Sequence, residues 1–399
     1  MKKKQLINEI MGVPKDIDGW VNYFTAIVVD TTNKIIERDQ WDSGDFTWRD
    51  DVTYPMHDSG IKLGGKELTQ LIIDRFFDGD RKGMLTSKTF TSFPLYNPVL
   101  SVNLRVVPDN VFEEGDMGDR MAASHSFVGD IRKVKIGKLG KVTIFNRNGF
   151  EFDVIIPASH ISERTEKHTQ DLLNTLTPTV GHELTHSYQT YRQMLGGKPS
   201  IGFGKETVLN AIPNILKFKE TPSWNHFLHL IYLSLSFESN ARVTEIYYKL
   251  KRSKVKTTQE ALKVLKASPP WEDYQMLKDF NTEDFMDNFD ADIDVEPFEN
   301  MMRMLLPPDQ RPPKSPESKE EWYSVLIDKW DNVVQDAQVQ MTQGGAEVPT
   351  MERVPESAKK DPVKFFRFFE KRFHKKAEDL KRKLAKVVSL VLQEGGEDE

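Results

Sequence analysis

Pro178-Thr179-Val180-Gly181-His182-Glu183-Leu184-Thr185-His186-Ser187-Tyr188-Gln189-Thr190-Tyr191-Arg192-Gln193 carries two histidines four positions apart, with a glutamate directly after the first. Four positions are close to one helical turn, so on a helix both imidazoles project from one face and can converge on a single ion. Glu183 falls about 100° further round. It is then beside such an ion rather than on it, placed to take a proton from an ion-bound water and return it to a leaving amine. Thr177-Pro178 reads as an N-cap followed by proline at the first helical position, and Val180 and Leu184 supply an apolar side. The plain alternative is a solvated helix face on which these residues fall by accident, and the helical context argues against it.

The chain has no cysteine. Disulfides, thiolate zinc sites and thiol catalysis are thereby excluded, and any metal is held by His, Asp or Glu. A catalytic zinc usually has three protein ligands and one open position, so two histidines need a partner. One completion uses a glycine three residues and a histidine six residues after the second His, the metzincin pattern, but Gln189 and Arg192 stand there.

The His-Glu-x-x-His of His182, Glu183 and His186 resembles instead the gluzincin branch of the zincin metallopeptidases, in which a glutamate on a downstream helix completes the site. The resemblance covers about 100 residues, from Phe150 to Lys251. It implies a zinc peptidase acting on protein or peptide substrates, with Zn2+ on His182, His186 and Glu238 and with Glu183 as the base. Glu238 lies in Phe237-Glu238-Ser239-Asn240-Ala241-Arg242-Val243-Thr244-Glu245, where small Ser239 and Ala241 favour close helix approach. Thermolysin-type members carry an aspartate four residues after the glutamate, where this chain has Arg242. Glu245, His226 and His229 remain alternative ligands, Glu245 could equally support a ligand histidine, and Glu238 with Arg242 could be an ordinary i to i+4 ion pair. An oxyanion donor could come from Tyr188, Tyr191, Tyr232, Tyr247, Tyr248 or Arg242. By the same resemblance, the strand Phe150 to Ile156 is the candidate sheet edge for a substrate strand.

The fold class that follows is α+β: a zincin-like core in which a sheet precedes the motif helix and a second ligand helix, with a helical C-terminal extension. Helices are expected over Trp20–Glu37 and Lys66–Phe77, with a loop over Asp39–Gly60 between them. Alternation predicts strands over Ser101–Val107, Ile131–Ile136, Val142–Asn146 and Phe150–Ile156, with a hairpin turn at Asn148-Gly149 and a loop over Asp109–Asp119. Ala158–Leu176 reads as a helix that stops or kinks before Pro178. Helices then follow over Glu206–Phe218, Trp224–Lys251, Thr258–Ala267 and Trp271–Phe280. Asp290–Asp294 imitates the start of a calcium loop, but Val295 and Met301 replace the required Gly and Glu, leaving an acidic surface loop.

Pro307–Pro316 holds five prolines and reads as a linker, followed by a helix over Glu320–Gln343 with Trp322, Leu326, Trp330 and Val333 on one side. A second linker, Gly344–Lys360, precedes a final helix. The linear division is a mixed region 1–99, a core 100–306, the linker 307–319 and an extension 320–399. The segment Lys359–Lys386 has twelve Lys or Arg against four acids, with Phe366, Phe369, Phe373, Leu380 and Leu384 as an apolar stripe. Packing of that stripe on the protein is the favoured reading. Docking of the basic helix on a partner or anionic surface is the other.

The net charge of −6 gives no whole-chain attraction to nucleic acid. No segment reaches the ~20 apolar residues of a membrane span. Asn8 and Glu9 interrupt what would be a signal-peptide core after Lys2-Lys3-Lys4, so a soluble, cytoplasmic chain is expected by default. The flanks resemble in texture proteins of large tailed phages. A virion-associated structural or interaction protein that keeps a zincin scaffold is therefore the rival to the peptidase.

Overall fold

The computed structural model describes residues 17–38, 59–86, 98–107, 109, 121–135, 141–163, 165–195, 222–292 and 354–395, with Glu321, Ser324, Ile327 and Trp330. The expected helix Glu206–Phe218, the linker Pro307–Pro316, the loop Asp109–Asp119 beyond its first residue and most of Glu320–Gln343 lie outside the described residues, as do 39–58 and 344–353. Internal contacts divide the chain into two units, each built from separated stretches. The first is 1–195, 240–269 and 386–399, and the second is 196–239 and 270–385. Three of the cuts fall inside continuous helices, Ser236–Arg252, Pro269–Asp279 and Pro362–Gly395.

The first unit is α+β. Helix α1 (Ile17–Arg38) buries Trp20, Phe24, Val28 and Ile35, an i, i+4 series on one face. Strand β1 (Ser59–Leu63) and helices α2 (Gly65–Phe76) and α3 (Arg81–Thr86) follow. Trp20 stacks on Phe76 at 4.4 Å between ring centroids, so α1 and α2 share one core. Strands β2 (Pro98–Val107), β3 (Met121–Lys135) and β4 (Lys141–Pro157) join β1 in one sheet of order β1-β2-β4-β3. β2 runs parallel to β4, whereas β1 and β3 are antiparallel to their neighbours. Leu100, Val102, Leu104, Phe150, Phe152 and Val154 are buried on one face, while Glu151 on the other is exposed. Phe24 of α1 reaches Phe150 at 4.8 Å, which places the helix on the apolar face.

The strands depart from the sequence expectation in two ways. Asn148-Gly149 is not a turn: β4 is continuous through it, with Gly149 opposite Val99 on one side and Ser126 on the other. Pairing on both flanks overrides the local turn preference of Asn-Gly. β3 and β4 pair instead as far as Lys135 opposite Lys141, and β3 starts ten residues before Ile131. β4 therefore lies between β2 and β3, so Phe150–Ile156 is not an edge. Among the described residues the edge strands are β1 and β3.

After α4 (Ala158–Glu163) comes α5 (Glu166–Leu195), 30 residues that pass straight through Pro178. No helix stops before the proline, and Thr177 is no N-cap. Proline in a helix interior costs about 3 kcal/mol through a lost hydrogen bond and a clash. Leu176, Thr177, Pro178 and Val180 are all buried, and the Thr177 hydroxyl donates back to the Leu173 carbonyl. Tertiary burial of this face outweighs the local penalty.

The second unit begins, among described residues, with α6 (Pro222–Leu233). The expected long helix Trp224–Lys251 is in fact two: α6 ends at Leu233, and α7 (Ser236–Arg252) starts afresh. The buried Ser234 hydroxyl donates to the Ile231 carbonyl, Leu235 N–H to the Tyr232 carbonyl, and Arg372 Nε to Ser234 Oγ. A serine that offers its backbone this alternative bonding tightens and ends the turn. Helices α8 (Thr258–Lys266) and α9 (Pro269–Asp279) match expectation. Helix α10 (Thr282–Asp292) does not, because it takes Asp290 and Asp292 out of the predicted loop.

A one-turn α11 (Glu356–Lys359) within the predicted linker leads to α12 (Pro362–Gly395). The stripe Phe366, Phe369, Phe373, Leu380 and Leu384 is buried, with Phe227 within 5.2–5.9 Å of the first three rings. The apolar side of the basic helix is thus spent on internal packing. Among the described residues no helix is long and apolar enough to cross a membrane.

Candidate metal centre

Helix α5 presents His182, Glu183 and His186 at the end of its buried run, at 8% and 6% exposure for the first two. The Nε2 atoms of His182 and His186 lie 3.0 Å apart, with the ring planes at 78°. Two nitrogens on a tetrahedral zinc at 2.0–2.1 Å are about 3.3 Å apart, so the imidazoles are arranged as ligands of one ion would be. Glu238 joins them: one donor atom from each of His182, His186 and Glu238 lies within 4.8 Å of the other two, and among the described residues no other such group of three occurs. His226 and His229 are exposed and stand outside it.

Glu238 reaches this place through the break between α6 and α7. Leu235 C=O accepts the first bond of α7, from Ser239 N–H, so Glu238 is the third residue of its first turn, not the middle of a long helix. A helix N-terminus favours a carboxylate there. The Tyr232 hydroxyl, from the last turn of α6, donates to Glu238 Oε2 at 2.6 Å. Glu238 is completely buried. Along α7, Arg242 and Glu245 follow Glu238 at i+4 and i+7 on the same face.

Those two residues hold the first histidine. His182 Nδ1 lies 3.2 Å from Glu245 Oε2, and Arg242 donates to the same oxygen at 3.0 Å. Nδ1–H bonded to a carboxylate leaves the Nε2 lone pair facing the cluster, as a metal ligand requires. Burial alone pushes the Glu245 carboxyl up, but the Arg242 guanidinium and His182 outweigh it and hold it below the usual carboxylate range. Glu245 therefore engages the His182 ring, and Arg242 pairs with the same carboxylate. His186 Nδ1 is 3.4 Å from Gln189 Oε1, a longer contact of the same kind.

Glu183, one position past His182, is buried, and among the described residues no hydrogen bond or ion pair engages its carboxylate. Such a group is available to water.

Two further residues of α7 fix the approach of α5. A Cβ on Gly181 would come 2.6 Å from Tyr248 Cδ2 and 3.6 Å from Thr244 Cγ2, so the helices cross at a position only glycine permits. Tyr248 donates in turn to Asp18 Oδ1 of α1 at 2.7 Å. Tyr247 is not at the cluster: nine positions past Glu238 is about 180° round the helix, and its hydroxyl donates to Glu394 at 3.1 Å. Burial, then the Asp18 and Glu394 carboxylates, push the Tyr247 phenol well up, and burial and Asp18 do the same to Tyr248. Both stay protonated donors within the scaffold. Tyr188 is half-buried and about 200° round from His186. The side chains of Tyr191 and Arg192 lie outside the described residues.

Gly181 and the Tyr232–Glu238 bond are what motif reading misses. A glycine inside a helical pattern signals a close packing demand, and Leu233-Ser234-Leu235-Ser236 signals the break. Comparisons with protein-family models, curated proteins and solved structures return no match for the chain.

Proposed function

We propose that the chain is a zinc-dependent peptidase with a gluzincin-like site on a zincin-like core. One observation carries the reading: His182, His186 and Glu238, 52 residues beyond the second histidine in sequence, converge within 4.8 Å, with Glu183 beside them. Two imidazoles and one carboxylate suit zinc and leave room for an open position. When bound, zinc supplies a Lewis acid and water of lowered pKa. Glu183, beside the cluster, would serve as the base that takes a proton from the attacking water and returns it to the departing amine. Glu245 keeps His182 in the tautomer that ligates, and Tyr232 holds Glu238.

Substrate binding as an added strand suits β3, which among the described residues pairs on one side only, antiparallel to β4. Main-chain pairing of this kind accepts many sequences, as a general peptidase needs.

The test is Glu183→Gln in the full chain. Wild type purified with one zinc per chain is expected to cleave casein, and the variant to keep its zinc while losing at least 10²-fold in rate. Stoichiometric zinc with no cleavage by wild type leaves the virion-scaffold role. Absence of zinc uptake by wild type sinks the peptidase.

A further inference from the structure

We propose that Tyr232 is a positioning residue that makes Glu238 a one-oxygen ligand, keeping the centre at three protein ligands and an open position; this rests on the metal-binding reading above. A carboxylate can grip an ion through one oxygen or both, and the choice decides whether a His-His-Glu set supplies three or four donor atoms. A two-oxygen grip requires both oxygens to face the ion. Here the phenol hydroxyl sits 2.6 Å from Oε2, a short charge-assisted bond that competes for that oxygen and turns the carboxylate edge. On this inference Oε1 is the oxygen left for the ion.

The phenol is well placed to persist. Tyr232 stands on α6 just before the Ser234-Leu235 break, which Ser234 pins to Ile231 and Arg372 pins to Ser234. Its ring stacks loosely on that of His229, 6.1 Å between centroids with the planes 27° apart. Donor and acceptor are six residues apart, so the break between the helices is what brings them together. Outer partners of ligating carboxylates typically govern metal affinity by 10–100-fold.

The experiment uses the full-length chain stripped with chelator and titrated with Co2+, whose visible absorption is intense when four-coordinate and weak when five-coordinate. Zinc affinity is measured by competition on the same samples. Wild type is expected to give the intense band. Tyr232→Phe, which keeps the ring, is expected to give a weakened band and zinc bound 10–100-fold more loosely. Tyr247→Phe loses a buried hydroxyl on the opposite face of α7 and is expected to match wild type in both. A Tyr232→Phe spectrum and affinity equal to wild type overturn the inference alone. Wild type that takes up neither ion overturns the metal reading and this inference with it. Loss of the same size in Tyr247→Phe assigns the effect to general loosening and also overturns it.

Discussion

Helices α7 and α12 read with the same period and bury opposite things. On α7 the residues at i, i+4 and i+7 are Glu238, Arg242 and Glu245. On α12 the comparable stripe is Phe366, Phe369, Phe373, Leu380 and Leu384, with Phe365 and Ala377 also buried. Each phenylalanine taken out of water contributes about 1.5–3 kcal/mol. A charged stripe, fully buried at Glu238 and partly buried at Arg242 and Glu245, at best roughly breaks even against an apolar one of the same shape. The α12 stripe therefore explains its own presence as stability. The α7 stripe is explained only by what it holds, namely the carboxylate in the cluster and the support of His182. Substitutions should separate the two, with losses of folding free energy in the aromatic region and losses of metal binding in the charged one.

The largest stability effect is expected at Phe227, whose ring lies 5.2–6.0 Å from those of Phe280, Phe285, Phe366, Phe369 and Phe373. Phe227→Ala should destabilise by about 3–5 kcal/mol, read as a shift in denaturant midpoint. Zinc bound per folded chain should not change. If zinc is lost at denaturant concentrations where the chain is still folded, the two kinds of burial are one cooperative system and the contrast fails.

Gly181→Ala probes the place where the two kinds of packing meet. Alanine is the better helix former by about 1 kcal/mol. The added methyl nevertheless meets the fully buried Tyr248 ring, itself tied to Asp18, so the helix pair must move apart. A net destabilisation of about 1–3 kcal/mol is expected from overpacking, together with weaker zinc binding, because His182 is the next residue. Unchanged zinc affinity would mean that the crossing distance does not set the cluster.

How much of this was legible in the chain follows the same contrast. The α12 stripe could be read because apolar side chains at helical spacing have one common use. His182, Glu183 and His186 could be read because all three lie within one turn, where spacing alone fixes geometry. Glu238 was reached through family resemblance, and its support could not be assigned, because Arg242 and Glu245 look like any surface ion pair until His182 is placed against them. Pro178 and Asn148-Gly149 misled for one reason: each is a strong local signal at a position whose burial or double-sided pairing is set by residues far away in sequence. The helix break at Ser234-Leu235 decided the site, yet it rests on Arg372, 138 residues later.

Glu245→Gln is the finest test. The amide keeps the shape and an acceptor oxygen for His182 Nδ1, and it leaves Arg242 only partly buried, at 22% side-chain exposure, so water can compensate the lost partner. Folding stability of the metal-free chain should therefore fall by less than the Phe227→Ala loss. What goes is the negative charge that makes the imidazole a better donor and favours one tautomer. Loss of such a partner typically weakens metal binding by 10–100-fold, about 1.4–2.7 kcal/mol. Competition with a zinc chelator measures the affinity, and thermal melting of the stripped protein measures the stability. If melting falls by several kcal/mol while affinity per folded molecule stays constant, the charged stripe of α7 serves the fold as the phenylalanines do. If affinity falls and melting holds, burying charge on this helix is a device for holding His182.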